Sequence, residues 1–284
     1  MTRKSSPISV SLYIAYVILG LTLALMCVAF FRDATTIHRF DAGILPFKTW
    51  AYPLGTDDLG RDLLARLSVG TQISMTVGIA TALVASAFGS AYGLLAGMLA
   101  GRVGDALMRV VDVLYSLPGL MVVVLLSVFL EPLLLNVVPP TLAPMAKLSS
   151  LVMALSFFSW PESARLIRGQ VLALKEQDFV AAFYTLGGGL RRLIVVHFLP
   201  NLVPYVMISI MVAVPRAILT ESTLSFIGLG MEAPLSSWGT LAYEGWFLIR
   251  VQPHVVLEAS LAIALSMWAM NTLILDLKAR WAVG

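Results

Sequence analysis

The sequence has very little charge and almost no cysteine or histidine. Only 12% of its 284 residues are Asp, Glu, Lys or Arg, which is far from the composition of a soluble globular domain. Cys27 is the only cysteine, so a disulfide or a thiolate metal cluster within one chain is excluded. His38, His197 and His254 have no partner at ligand spacing. For His197, a hydrogen bond at the membrane boundary is favoured over a metal site, and no metal site is predicted.

The motifs of several function classes are also missing. The chain has no G-x-x-x-x-G-K-[ST] phosphate loop, so we predict that it does not hydrolyse ATP itself. Its net charge is only +3 and its basic residues form no stripe, so no nucleic-acid partner is predicted. No Ser/His/Asp or Cys/His arrangement can be assembled from its motifs. We therefore expect neither an enzyme nor a cofactor bound by this chain.

Long apolar runs dominate what is present. Hydrophobic residues make up 59% of the chain, and the mean hydropathy is +0.89. About 20 apolar residues in a helix cross the hydrocarbon core of a membrane. The sequence thus predicts an all-α polytopic protein with six transmembrane helices and lipid contact. The six runs lie at residues 5–31, 67–101, 113–130, 148–164, 193–215 and 259–275.

The order of these runs predicts the organisation of the chain. Residues 1–66 hold the first span and an interfacial segment outside the cytoplasm, where Thr56, Asp57 or Asp58 could cap a helix. Residues 67–284 hold five spans, a cytoplasmic loop at 171–198 and an outer loop at 226–253. The first run is too long for a removable signal peptide. Because basic residues are more frequent in the segments placed inside, both termini are expected in the cytoplasm.

One polar stretch, "DFVAAFYTLGGGLRRLIVVHFLPN", interrupts the apolar chain. Its spacing predicts a short helix with one apolar face, followed by a run of three glycines that ends it. In a helix this short, the few hydrogen bonds do not offset the free-energy cost of nucleation, so the helix needs a surface to pack against. Periodicity leaves two surfaces open, a cytoplasmic partner protein or the lipid interface. The apolar face holds Phe179, Ala182, Phe183 and Leu186.

The same stretch resembles the "EAA" loop of permease subunits of binding-protein-dependent ABC importers. Four further segments look like successive signatures of one branch, the C-type subunit of dipeptide and oligopeptide permeases, which includes nickel transporters. They are "PLGTDDLGRDLLARL", "MRVVDVLYSLPGLM", "SWPESARLIRGQVLALKEQDFVAAF" and "ESTLSFIGLG...PLSSWG". The resemblance covers most of residues 53–240 in the expected order.

The resemblance implies a type I importer permease with six helices in a bacterial inner membrane. Its partners would be a second, homologous permease, two ATPase subunits that bind ATP and Mg, and an extracytoplasmic binding protein. The substrate would be a dipeptide or oligopeptide, with nickel or another small solute as the alternative. The short helix would be the coupling helix that docks on the ATPase.

The resemblance also implies which residues couple the chain to its ATPase. Ala181 stands where many members have a glutamate, so apolar packing by Phe179 and Phe183 is expected to provide the contact. The implied coupling residues are Phe179, Ala181, Ala182, Phe183, Leu186, Gly187, Gly188 and Gly189.

Acidic residues near the spans give a second candidate site. Glu221, with Arg216 and Ser225, is a candidate for the translocation pathway or for contact with the second permease. An ion-coupled secondary transporter ranks behind the importer, because the acids cluster near span ends and no internal repeat is evident. An assembly subunit without transport activity ranks third, since it gives no reason for a glycine-ended helix.

Overall fold

The computed structural model describes residues 10–99, 101–231 and 235–282, and within them the chain is all-α. The basic residues Arg3 and Lys4, and residues 232–234 of the predicted outer loop, lie outside the described residues. No β-strand occurs in the described part, where an isolated bridge joins Thr56 and Asp62. The all-α prediction is confirmed.

Ten α-helices follow one another along the described chain. They are α1 (Val10–Val28), α2 (Leu63–Met98), α3 (Arg102–Ser116), α4 (Gly119–Leu135), α5 (Ala143–Lys175), α6 (Asp178–Thr185), α7 (Leu190–Arg192), α8 (Leu199–Phe226), α9 (Trp238–Phe247) and α10 (Pro253–Ala282). A π-helical stretch, Leu193–Phe198, joins α7 to α8, and single 3₁₀ turns lie at Arg39–Asp41 and Pro140–Leu142.

Five helical stretches are long and apolar enough to cross a membrane by length and composition. They are Val10–Val28, Leu63–Met98, Pro140–Lys175, Leu190–Phe226 and Pro253–Ala279. A sixth is added when α3 and α4, which meet at 90°, count as one span. The described chain therefore agrees with the predicted polytopic fold.

The predicted bounds of the third span were wrong. The run 113–130 crosses the break between α3 and α4, where Leu117 is extended with φ −81° and ψ 145°. Pro118 causes this break, because proline has no N–H for the helix and disfavours helical geometry at the residue before it. A hydropathy profile gives no signal for this break, since the residues on both sides of it are apolar. The apolar segment 131–150 is mostly helical too, as α4 continues to Leu135 and α5 begins at Ala143.

The chain divides into two compact units, and the first combines three parts of the sequence. It comprises Met1–Gly78, Val138–Leu148 and Pro215–Gly284. In it α1 and α9 both pack against α10. The Thr22 and Ser266 hydroxyls lie 3.4 Å apart between α1 and α10, and Gln72 donates to the carbonyl of Met26 at 2.9 Å. The predicted division after residue 66 follows the spans and stays a prediction.

The second unit comprises Ile79–Val137 and Ser149–Val214. Its α2 and α5 touch along a line of glycines spaced four residues apart, Gly89, Gly93 and Gly97. A Cβ atom at Gly89 would meet the carbonyl of Trp160, and one at Gly93 would meet that of Ala164. Small residues of this spacing let two membrane helices approach backbone to backbone. We call this contact the glycine seam.

A lysine closes one end of the glycine seam. Lys175, the last residue of α5, donates to the carbonyls of Gly97 at 2.9 Å and Met98 at 2.7 Å. These carbonyls end α2 and have no partner within the helix, so a cation here satisfies them and suits the helix dipole. The end of α2 and the end of α5 therefore lie together, and α6 begins beside them.

Candidate functional site

The predicted short helix is α6, and its end has a defined geometry. Gly187 has a φ of +77°, which a residue with a side chain rarely adopts. The Gly188 N–H donates to the carbonyl of Phe183, and the Gly187 N–H donates to that of Tyr184, both at 3.0 Å. These two bonds form a Schellman cap. The glycines thus stop α6 after eight residues.

The aromatic face of α6 points toward its own chain. The ring of His197 lies 5.8 Å from that of Phe179 and 5.1 Å from that of Phe183, measured between centroids. Both phenylalanines are half-buried against a core cluster in the second unit. The expectation that they also contribute to the contact with another protein stays a prediction. The cluster consists of Ile167, Val171, Val180, Leu193, Phe198 and Leu202.

The outward face of α6 carries a different set of residues. Leu186 is 88% exposed and Tyr184 50% exposed, and Ala181 and Ala182 are exposed beside them. We call these four residues the α6 surface. Of the predicted coupling glycines, Gly187 and Gly189 are exposed, whereas Gly188 lies half-buried under the Phe183 ring. Sequence reasoning missed Tyr184, although its position three residues after Ala181 was a usable signal.

His197 has a packing role in this arrangement. Its ring, in the π-helical stretch, lies beside two aromatic rings of α6. Within the described part of the chain, no group of three or more His, Cys, Asp or Glu residues could hold a metal ion. The six-residue stretch contributes Leu193 and Phe198 to the core, so α6 rests on a fixed surface.

The second candidate, Glu221, is fully buried in the first unit with an exposure of 0%. Ser225 donates to its Oε1 at 2.7 Å, and Ser74 donates to its Oε2 at 3.0 Å. The backbone N–H of Trp238 donates in turn to the Ser74 hydroxyl at 3.2 Å, and the indole N–H donates to Thr71 at 3.0 Å. The carboxyl group therefore joins α8, α2 and the start of α9.

This geometry changes the interpretation of the acidic candidate. Glu221 and Ser225 are brought together, but neither is accessible, so they do not line an open pathway in this structure. Arg216 lies on the exposed surface of α8, and serine hydroxyls donate to Glu221. A structural role for Glu221 is favoured.

We expect Glu221→Ala to destabilise the chain by about 2–4 kcal/mol, because it leaves a cavity and removes the acceptor of several buried hydroxyls. Glu221→Gln keeps the volume and one acceptor oxygen, so it should cost about 1 kcal/mol. Thermal unfolding of the detergent-purified variants measures both. An alanine variant that melts with the wild-type protein would show that the network does not hold the fold.

A buried ionic network holds the segment between α1 and α2. Arg66, 3% exposed, donates to Asp57 at 2.9 Å and to both carboxylate oxygens of Glu244 at 2.6 and 3.0 Å. Arg61 donates to Asp57 at 2.7 Å and to Glu244 at 3.3 Å. Two cations thus balance two carboxylates, and the network joins α2 to α9. No pattern in the sequence indicates this network.

The helix start near this network also differs from the prediction. The sequence predicts that Thr56, Asp57 or Asp58 caps an interfacial helix, but α2 begins only at Leu63. The cap is Asp62, whose side chain accepts the Leu64 N–H at 3.0 Å. Asp57 lies too early in the chain for that role, and its Oδ1 accepts the backbone N–H groups of Leu59 and Arg61.

Hydrogen bonds and burial set the ionisation of two other groups in this segment. The hydroxyls and N–H groups of Thr35 and Thr36 hold the pKa of Asp33 at about 2, so it is ionised at physiological pH. Burial, followed by a hydrogen bond to Asp41, raises the pKa of the Tyr52 hydroxyl. Tyr52 therefore stays a neutral donor.

The apolar spans, with a glycine-ended helix held between two of them, define a multi-pass membrane protein of the permease class. Residues 89–279 match the family described as binding-protein-dependent transport system inner membrane component, and the chain belongs to this family. It is a multi-pass inner membrane protein of the bacterial type. The resemblance stated from the motifs is confirmed.

Three relatives show how far the similarity extends. The chain is 34% identical over 256 residues to the oligopeptide transport system permease protein OppC of Bacillus subtilis (strain 168), which covers 90% of this chain and 79% of that one. It is 38% identical over 191 residues to the dipeptide transport system permease protein DppC of the same organism, covering 67% and 55%. It is 39% identical over 217 residues to OppC of Escherichia coli (strain K12), covering 76% and 67%. The match thus spans about half the length of the dipeptide relative.

Proposed function

We propose that the chain is the permease subunit of an ATP-driven importer of peptides and supplies half of its translocation pathway. The family is described as binding-protein-dependent, and the relatives above are named for oligopeptide and dipeptide transport. The substrate class rests on these names. Nickel or another small solute is the alternative substrate, and an ion-coupled secondary transporter is the alternative mechanism.

One observation carries the coupling part of this proposal, the arrangement of α6. An eight-residue helix is unstable alone, and here its inner face is fixed by Phe179 and Phe183 while Tyr184 and Leu186 point outward. Force from a second protein is transmitted best through a rigid element with a free face. The α6 surface is therefore the docking surface for an ATPase subunit, and the phenylalanines position it.

The partners follow from this assignment. Two ATPase subunits would bind ATP and Mg and close on α6, while a second, homologous permease completes the pathway. An extracytoplasmic binding protein would deliver the peptide to the opposite face. Because α6 must meet a cytoplasmic ATPase, both chain termini would lie in the cytoplasm, and Arg191 and Arg192 after α6 agree with the positive-inside rule.

We expect Leu186→Asp to lower ATPase copurification from solubilised membranes about tenfold, because burying a leucine contributes about 1.5–3 kcal/mol. In liposomes holding the assembled complex, ATP-driven uptake of a labelled dipeptide or oligopeptide should fall in parallel. Leu45→Asp is the control, since Leu45 is also an exposed leucine but lies between α1 and α2.

The same measurements separate the alternatives. Uptake by the wild-type complex should require ATP, and excess Ni²⁺ should not compete with the peptide. Uptake driven by an ion gradient without ATP would support the secondary transporter instead. ATPase capture that is equal for both aspartate variants would remove α6 from the docking surface.

A further inference from the structure

Helix α3 has an exposed apolar stripe that the proposed function does not use. One face of α3 is buried against α2 and α5 through Gly104, Met108 and Val111. A second stripe, at helical spacing, is apolar and exposed, and consists of Val103, Ala106, Val110, Val113 and Leu117. A third stripe is charged and exposed, and consists of Arg102, Asp105, Arg109 and Asp112. If this stripe faced water, its contiguous exposed apolar side chains would have no explanation.

The angle between α3 and α4 fixes the direction of this helix. The 17 residues of α4 extend about 25 Å at 1.5 Å per residue, close to the roughly 30 Å of the hydrocarbon core. The first residue of α4 therefore lies near a membrane boundary. Because α3 meets α4 at 90°, α3 runs along that boundary instead of crossing it.

Contacts within the second unit hold α3 in this position. The Tyr92 hydroxyl donates to the carbonyl of Leu107 at 2.8 Å. Arg168 pairs with Asp105 at 2.5 Å, and Arg165 pairs with Asp112 at 2.6 Å. Both arginines belong to the half of α5 that ends at Lys175, so α3 lies at the same end of the unit as α6.

These ion pairs leave the charged stripe with a net positive charge. The two acids of α3 are neutralised by the two arginines of α5, and the Arg165 guanidinium also lies 4.2 Å above the Tyr115 ring. Arg102 and Arg109 make no ion pair with any other residue that the structure describes. Positive charge beside an apolar stripe is typical of helices that lie in the headgroup region.

We propose that α3 is an interfacial helix that binds the membrane surface on the α6 side. Its apolar stripe contacts acyl chains, and Arg102 and Arg109 contact anionic lipid headgroups. A lipid surface fits better than a protein because the helix lies in the plane of the boundary and continues into exposed apolar residues of α4, Leu120 and Met121. This assignment does not depend on the transported substrate or on the ATPase.

The test uses the full chain with Cys27→Ser, reconstituted in phosphatidylglycerol and phosphatidylcholine nanodiscs. A fluorophore is attached to a single cysteine on the apolar stripe, V103C, V110C or V113C, or on the charged stripe, R109C. Quenching by lipid that carries a nitroxide near the headgroup should be several-fold stronger for the apolar positions. Quenching by aqueous iodide should show the opposite order. Iodide quenching as strong at Val110 as at Arg109 would overturn the proposal.

Two further measurements test whether a protein covers the apolar stripe instead of lipid, and whether the two arginines select anionic lipid. A photo-crosslinking amino acid at Val110, in cells that contain the whole complex, should give no protein adduct; a protein adduct would mean that a subunit covers the stripe. The double variant R102Q/R109Q should lose quenching by nitroxide-labelled phosphatidylglycerol and keep quenching by labelled phosphatidylcholine. An equal loss for both lipids would overturn the role of the two arginines.

Discussion

Replacing Arg66 with methionine should lower the free energy of unfolding by about 3 kcal/mol, because it leaves the two carboxylates of the network with Arg61 as their one remaining cation. Asp57 is almost fully buried and cannot recover its hydration. Glu244 keeps 36% of its side chain exposed, so we expect a value at the lower end of the range for a broken buried pair. Thermal unfolding in detergent and the amount of protein in the membrane both report this loss.

Two control variants separate burial from charge in the Arg66 prediction. Arg32→Gln breaks a pair with Asp62 in which Arg32 is 32% exposed, and it should cost less than about 1 kcal/mol. Adding Glu244→Gln to Arg66→Met leaves Arg61 paired with Asp57, so the remaining charges balance and part of the stability should be restored. If the methionine variant unfolds at the wild-type temperature, the network contributes nothing to the fold.

The sequence predicts the features of this chain that are local. Charge-free runs locate the spans because a buried charge in a membrane helix costs about 2.5–3.5 kcal/mol on insertion scales. The end of α6 is predictable because Gly187 alone allows the positive φ that the cap requires. Both signals lie within a few residues of the feature they predict.

The features that the sequence missed depend on distant contacts. Arg66 and Glu244 lie 178 positions apart, and no sequence motif around either residue indicates that they form an ion pair. Periodicity found the apolar face of α6 but not what covers it, and the structure shows Phe179 and Phe183 against the chain's own core. Periodicity indicates that an apolar helix face is buried. Which residues bury it can be determined only from the tertiary structure.

The same distinction applies to the acidic candidate. An acid near the end of a span suggests a pathway residue, and Glu221 fits that description in the sequence. In the fold, Ser74 from α2 and Ser225 from one turn later both donate to it. Full burial with hydroxyl donors to both oxygens is typical of a structural group, and of these two donors only Ser225 could have been anticipated from helical spacing.

The glycine seam is the second place where a single substitution should have a large effect. A side chain at Gly93 would meet the carbonyl of Ala164 on α5, with the Ala164 Cα at 3.0 Å from the new Cβ. Backbone atoms cannot turn away as a flexible side chain can, so the two helices would have to separate. Separation would also disturb the neighbouring contacts of Gly89 and Gly97.

We expect Gly93→Val to lower the free energy of unfolding by about 3 kcal/mol, the upper end of the usual range for overpacking. Gly169→Val is the matched control, because Gly169 lies on α5 and a Cβ atom added there would meet no atom within 4 Å. Valine is also a better helix former than glycine, so this control should be as stable as the wild-type chain or slightly more stable. Thermal unfolding of both variants in the same detergent measures the difference. Equal losses at both positions would mean that glycine itself, and not the close approach of α2 and α5, determines the stability of this unit.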